Sequence, residues 1–280
     1  MKKLLACAGV FLVSLLTSCD TTISTTSAPE TSGQVRIHPL CIDELVPLSG
    51  SVDQSITVDL QQCASKYKAF SFTHPKPWQA SWEKQQSDDS SPLYEELPAF
   101  AEYQVIGGLA SGLTLLSYKV NYGGSGTFSY ALVVEGFDGH SGKLTAYKTV
   151  IGGDRCDGGI KDAMITSPES FMLVKHATLA ELVRRGEAKA DEGTENNLPD
   201  CSTCCAGTIL ESYQVDGAKQ LKQALFYPPA DTLQAASQNT NERCLYLRLG
   251  KGQYSQRLNP EQLHELQTLF HNLCEGKGSD

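Results

Sequence analysis

LTLLSYKVNYGGSGTFSYALVVEGFDGHSGKLTAYKTVI, residues 113–151, is the stretch that decides the fold. Three β-branched and aromatic runs are separated by GGSG (123–126) and by GFDGHSG (136–142). In the middle run Phe128, Tyr130, Leu132 and Val134 fall on one face, the period-2 pattern of a strand. Glycine-rich breaks of this length are hairpin connections, since glycine supplies the backbone angles that reverse a twisted ribbon. With EYQVIGG (102–108) before it, the segment predicts an antiparallel meander, ended by GGDRCDGG (152–159).

Toward the amino terminus, SITVDL places Ile56, Val58 and Leu60 on one face of a strand, and AFSFT continues it. Residues 85–98, rich in Ser, Pro and acids, mark a boundary or long loop. The body therefore divides into an N-terminal β region, 35–98, and a main β-rich domain, 99–280. Toward the carboxyl terminus, residues 170–176 read as a strand, and Thr178 with Glu181 makes a capping box for a short helix closed by Gly186. An acidic loop follows, then GTILESYQVDG and KQLKQALFY form a hairpin about Asp216-Gly217. CLYLRLG and QYSQRL read as a further hairpin. Asn259 and Pro260 open a final helix with the stripe Leu263, Leu266, Phe270 and Leu273. The fold class is α+β: mainly an antiparallel β meander with a few short helices, stabilised by disulfides.

The opening residues, MKKLLACAGVFLVSLLTSC, have a basic head at Lys2-Lys3, an apolar run from Leu4 to Leu16 and small residues before Cys19. This is the layout of a secretory signal peptide, 1–18, and the run is shorter than the roughly 20 residues that span a membrane. LTSC, residues 16–19, resembles the lipobox of bacterial lipoproteins. The resemblance covers about twenty residues and implies that Cys19 becomes the lipidated first residue of the mature chain, anchored through its acyl chains. Asp20 resembles the inner-membrane retention signal of enteric-type lipoproteins; other hosts read other positions, which leaves the outer membrane open. Residues 19–34, the lipidated cysteine and a Ser/Thr-rich stretch, hold too little apolar surface to offset ordering and read as a tether. The expected location is the periplasmic side of the envelope.

The whole chain carries 23 Lys and Arg against 32 Asp and Glu. Without Lys2 and Lys3 the balance is 21 against 32, a net −11. So acidic a body, with scattered basic residues, is a poor partner for nucleic acid or for anionic lipid surfaces. Motifs with catalytic meaning fail on physical grounds. Ser141 in GHSGK lacks the fifth-position glycine and the strand-to-helix turn of a nucleophile elbow. Phe137 and Leu144 occupy positions where a phosphate loop needs glycine and a hydroxyl. His264 and His271 lie roughly 10.5 Å apart along a helix, too far to share one zinc. Asp138, His140, Asp154 and Asp157 read as turn residues bonding their own backbone rather than as a cation site. No catalytic residue, metal ligand or cofactor is assigned.

Ten cysteines, less Cys7 in the leader and the lipidated Cys19, leave Cys41, Cys63, Cys156, Cys201, Cys204, Cys205, Cys244 and Cys274. An even number in an exported chain points to disulfides, and eight cysteines allow 105 pairings. Local pairs Cys41–Cys63 and Cys244–Cys274 are expected, with Cys156 joined to one of the CSTCC cluster at 201–205. Cys201-x-x-Cys204 also has redox or zinc spacing, but a strand-like segment follows it instead of the helix whose N-terminus acidifies a redox thiol. The functional expectation is a lipid-anchored, non-catalytic binding or structural module whose partner is a protein, glycan or small ligand. A redox or metal site at Cys201/Cys204 is one alternative; an inhibitor of an envelope-attacking hydrolase, plugging with residues 136–142, is the other.

Overall fold

A computed structural model describes residues 36–47, 55–76, 79–85, 97–138, 140–185, 198–217, 219–226, 240–249 and 256–274. The signal peptide, Cys19, Asp20, the tether, Gly186 and nearly all of the acidic loop lie outside the described residues.

The meander forms as the alternation and glycine turns dictate. Strands β4 (Phe100–Gly108), β5 (Thr114–Asn121), β6 (Phe128–Glu135) and β7 (Lys143–Asp154) pair in sequence. They sit within a seven-stranded antiparallel sheet that adds β1 (Thr57–Asp59), β2 (Thr73–Lys76) and β3 (Gln79–Glu83), in the order β1-β7-β6-β5-β4-β3-β2. A second antiparallel sheet holds β8 (Ile160–Ser167), β9 (Ser170–Ala177), β10 (Gly207–Gln214), β11 (Lys219–Phe226) and β12 (Gln256–Leu258), in the order β12-β11-β10-β9-β8. Five short helices complete the described chain: α1 (Pro39–Asp43), α2 (Leu60–Lys66), α3 (Leu179–Arg184), α4 (Thr240–Leu249) and α5 (Pro260–Leu273).

Three apolar cores organise these elements. One face of the first sheet, through Tyr103, Tyr118, Leu132 and Leu144, buries Leu40, Ile42 and Cys63 of α1 and α2. Its other face, through Leu115, Ala131 and Val133, meets Ile160, Phe171, Leu173 and Tyr213 of the second sheet. The same face of the second sheet continues beyond that contact: Ala177, Ile209, Ala224 and Phe226 pack under α3, α4 and α5. One sheet face is thus shared between a sheet and a helical layer.

Several sequence expectations change. The division at 98/99 is crossed by β3–β4 and β1–β7 pairing, so both sides share one sheet and residues 33–280 form one compact unit. Leu60 opens α2 rather than extending a strand, because the Asp59 carboxylate accepts from the Gln62 amide and starts a helix there. Strand β8 carries two register shifts, which break the period-2 pattern that would have revealed it. Residues 240–249 are helical rather than a strand; Cys244 bonds Cys274 at the end of α5, and Leu245 is buried against that helix. In α5 the Asn259–Gln262 capping box forms and Leu263, Leu266 and Phe270 are buried, but Leu273 stands 37% exposed. Phe128, at the start of its strand, is likewise exposed. At α3, Thr178 accepts from the Glu181 amide as expected, while the Glu181 side chain turns to Arg184 and Arg185.

Candidate functional site

The cysteine cluster is resolved by the pairing. Four bridges form: Cys41–Cys63, Cys156–Cys205, Cys201–Cys204 and Cys244–Cys274. Their spans of 22, 49, 3 and 30 residues are unequal constraints. On the chain-entropy account the three long spans each destabilise the unfolded chain by about 3–4 kcal/mol, and the shortest by about 2 kcal/mol. Cys156–Cys205 pins the GGDRCDGG turn, which carries the chain from one sheet to the other, against the entry to β10. That turn is made of backbone: a side chain on Gly153 would lie 1.4 Å from the Asp157 carbonyl oxygen. The Cys201–Cys204 turn is already closed by the Cys204 amide donating to the Cys201 carbonyl at 3.0 Å. It is held on the first turn by Arg155 donating to Ser202 Oγ at 2.7 Å and by the Cys156 amide donating to the Ser202 carbonyl at 3.2 Å.

Asp138 and His140 do not approach Asp154 and Asp157. The two pairs sit at opposite ends of β7, roughly 40 Å apart at 3.3 Å per residue. Asp138 accepts from the His140 amide, as a turn aspartate does, while Asp154 takes the Thr127 amide and Arg155. Ser141 bonds Lys143 within its own hairpin. Phe137 is buried against Tyr103, so that part of the 136–142 turn belongs to the core.

Where the shared face of the second sheet passes from sheet to helices, a carboxylate is buried. Glu211 is fully buried, and its oxygens lie 2.8 Å from Lys219 Nζ, 3.2 Å from Arg185 Nη1 and 3.5 Å from Lys175 Nζ. Tyr213 donates its hydroxyl to Oε2 at 2.5 Å. Burial alone would raise this carboxyl, but Lys175, Lys219, Tyr213 and Arg185 overcome it and hold it at about 2. Lys175 is pulled below the ordinary lysine range, chiefly by burial, and donates to the Ile151 carbonyl of the first sheet. The network fastens both sheets and the end of α3 to one charge; the carboxylate is buried while Lys219 and Arg185 reach it from the surface, which makes it a structural junction.

A solvent-open cleft lies where turns of both sheets converge. The turn after β4 (Ala110, Ser111, Leu113), the end of β6 (Glu135), Tyr147 of β7, the β8–β9 turn (Glu169) and the β10–β11 turn (Gln214, Val215, Asp216) line it. The Ala110 amide donates to the Pro168 carbonyl and the Val215 amide to Glu169, tying the turns together. Lys148 crosses from the first sheet to donate to the Gln214 carbonyl at 2.7 Å and lies over the Tyr213 ring. Ser111 holds a left-handed backbone, φ 59°, costly for a residue with a side chain. Three carboxylates and the 56% exposed ring of Tyr147 give the cleft an anionic, aromatic lining. Of these residues only Asp216 was named from the sequence, and only as a hairpin turn: they come from five separate places in the chain, and no linear motif joins them.

Among the described residues no helix is long and apolar enough to cross a membrane, and no group of His, Cys, Asp and Glu is placed to hold a metal ion. The bridges are compatible with an extracytoplasmic location. The chain matches no family model, no curated protein and no solved structure.

Proposed function

We propose that this chain is a non-catalytic binding module, anchored to the periplasmic side of the bacterial envelope through acyl chains on Cys19, and that the cleft between the two sheets binds a cationic segment of a partner protein. The observation that carries the reading is the cleft lining: Glu135, Glu169 and Asp216 around the exposed Tyr147 ring. Carboxylates attract ammonium and guanidinium groups, and a tyrosine face adds a cation–π contact worth about 0.5–1 kcal/mol at an exposed site. The acidic balance of the whole chain would steer such a partner toward it. A hydrolase that attacks the envelope, if basic, would be one such partner.

The test is titration of residues 20–280, oxidised, with a lysine-rich peptide. Glu135→Gln/Glu169→Gln/Asp216→Asn should weaken binding at least tenfold. The equal charge change Glu83→Gln/Glu261→Gln/Glu265→Gln, on other surfaces, should have a much smaller effect. Equal losses in the two triple variants would reduce the binding to non-specific attraction and remove the cleft from the account. The anchor is checked separately: labelled palmitate should enter the chain in a bacterial host, and Cys19→Ala should abolish both label and membrane association.

A further inference from the structure

The four bridges are of two kinds, and the difference points to chemistry beyond partner binding. Cys41 and Cys63 are buried in the first core, and Cys274 is buried in the helical one. Cys156 is also buried, although its partner Cys205 is exposed. In the remaining bridge neither cysteine is buried: Cys201 is exposed and Cys204 half-exposed, and the bridge spans three residues of a surface turn. That turn does not depend on the bridge for its shape, because the Cys204–Cys201 backbone hydrogen bond and the two Ser202 contacts hold it independently.

We propose that Cys201–Cys204 is an exchangeable disulfide that accepts electrons from an extracytoplasmic dithiol protein, while the other three bridges remain closed. In the step, a thiolate of the dithiol attacks the exposed Cys201 Sγ. The Cys201–Cys204 bond breaks, and Cys204 leaves as a thiolate that takes a proton from water. The second thiol of the dithiol then displaces Cys201 from the mixed disulfide. The dithiol is oxidised to its disulfide, and Cys201 and Cys204 end as thiols, two electrons having moved. The direction follows from exposure and span: an attacking thiolate can reach Cys201 Sγ, and a three-residue bridge stabilises the fold least, so its reduction costs the least. An exposed bridge has a more oxidising potential than a buried one, which suits the pair to receive electrons. Cys156–Cys205 keeps the turn in place during the exchange.

The experiment is graded reduction of the oxidised 20–280 chain with dithiothreitol, trapping thiols with an alkylating agent and identifying them by peptide mass spectrometry. Cys201 and Cys204 should be labelled at a reductant concentration at least tenfold below that needed for Cys41, Cys63, Cys156, Cys205, Cys244 or Cys274, with the far-ultraviolet circular dichroism unchanged. A thioredoxin-type dithiol protein lacking its resolving cysteine should be trapped on Cys201. Opening of Cys201–Cys204 together with or after the other bridges would overturn the proposal, as would trapping on a different cysteine. Cys201→Ser/Cys204→Ser should fold with an unchanged spectrum and lose the early labelling; persistence of that labelling would also overturn it. Loss of peptide binding in the cleft variants has no bearing on this result, so the two readings fail separately.

Discussion

Strands β6 and β9 both have largely apolar sequences, FSYALVVE and SFMLVKHA, yet their surroundings differ. In β6 every residue from Ser129 to Val134 is buried, because α1 and α2 cover one face of the first sheet and the second sheet covers the other. In β9 burial alternates: Phe171, Leu173, Lys175 and Ala177 are buried, while Met172, Val174 and His176 are half-exposed. The register extends that second face across Met164, Met172, Val174 and Leu210. A continuous apolar run identifies a strand, then, but not how many layers cover it. The more heavily covered sheet is held by side-chain packing, and the other depends on a buried charge where its two coverings meet.

Replacing the charge should break that distinction most strongly. Glu211→Gln leaves Lys175, Arg185 and Lys219 around a neutral amide, and a loss of about 3–5 kcal/mol is expected in denaturant unfolding at pH 7. The same residue sets a pH dependence. Its folded pKa of about 2 lies below the unfolded glutamate value of about 4.3, so its contribution is fully present above that unfolded value and is lost as pH falls from about 4.3 through about 2. The gap in stability between wild type and Glu211→Gln should therefore narrow across that window. A gap that stays constant down to pH 2 would show that the carboxylate charge is not what fastens the sheets. The smallest effect belongs to the cleft: Ser111→Gly should stabilise by up to about 1 kcal/mol, since glycine adopts the left-handed angle without a side-chain clash and gives back part of the gain in chain entropy. A thermal melt that moves downward would show that the Ser111 backbone is not strained.

These differences also explain what could be read before the structure. The meander was legible because Tyr130, Leu132 and Val134 alternate between glycine turns, and α5 because Asn259-Pro260 is a strong helix start. Strand β8 was not, since its bulges shift residues between faces, and α4 was misread because its pairing with α5 through Cys244–Cys274 is a tertiary fact. The local pairs Cys41–Cys63 and Cys244–Cys274 followed from short spans, but Cys205 as the partner of Cys156 depends on how two turns meet. Glu211 gave no signal: between Ile209 and Tyr213 a glutamate looks like an ordinary polar strand residue, and only Lys175, Arg185 and Lys219, brought from three other elements, make its burial tolerable.

The register shifts in β8 have a consequence for how these molecules coexist. Among the described residues it is the one long edge strand, eight residues against three or four in β1, β2 and β12. A straight edge of that length offers a row of open amides and carbonyls to any neighbouring copy and invites aggregation. The bulges at Ile160/Asp162 and Ile165/Ser167, with the exposed charges of Lys161 and Asp162 between them, interrupt that row. They guard against edge-to-edge sheet growth where many copies crowd together.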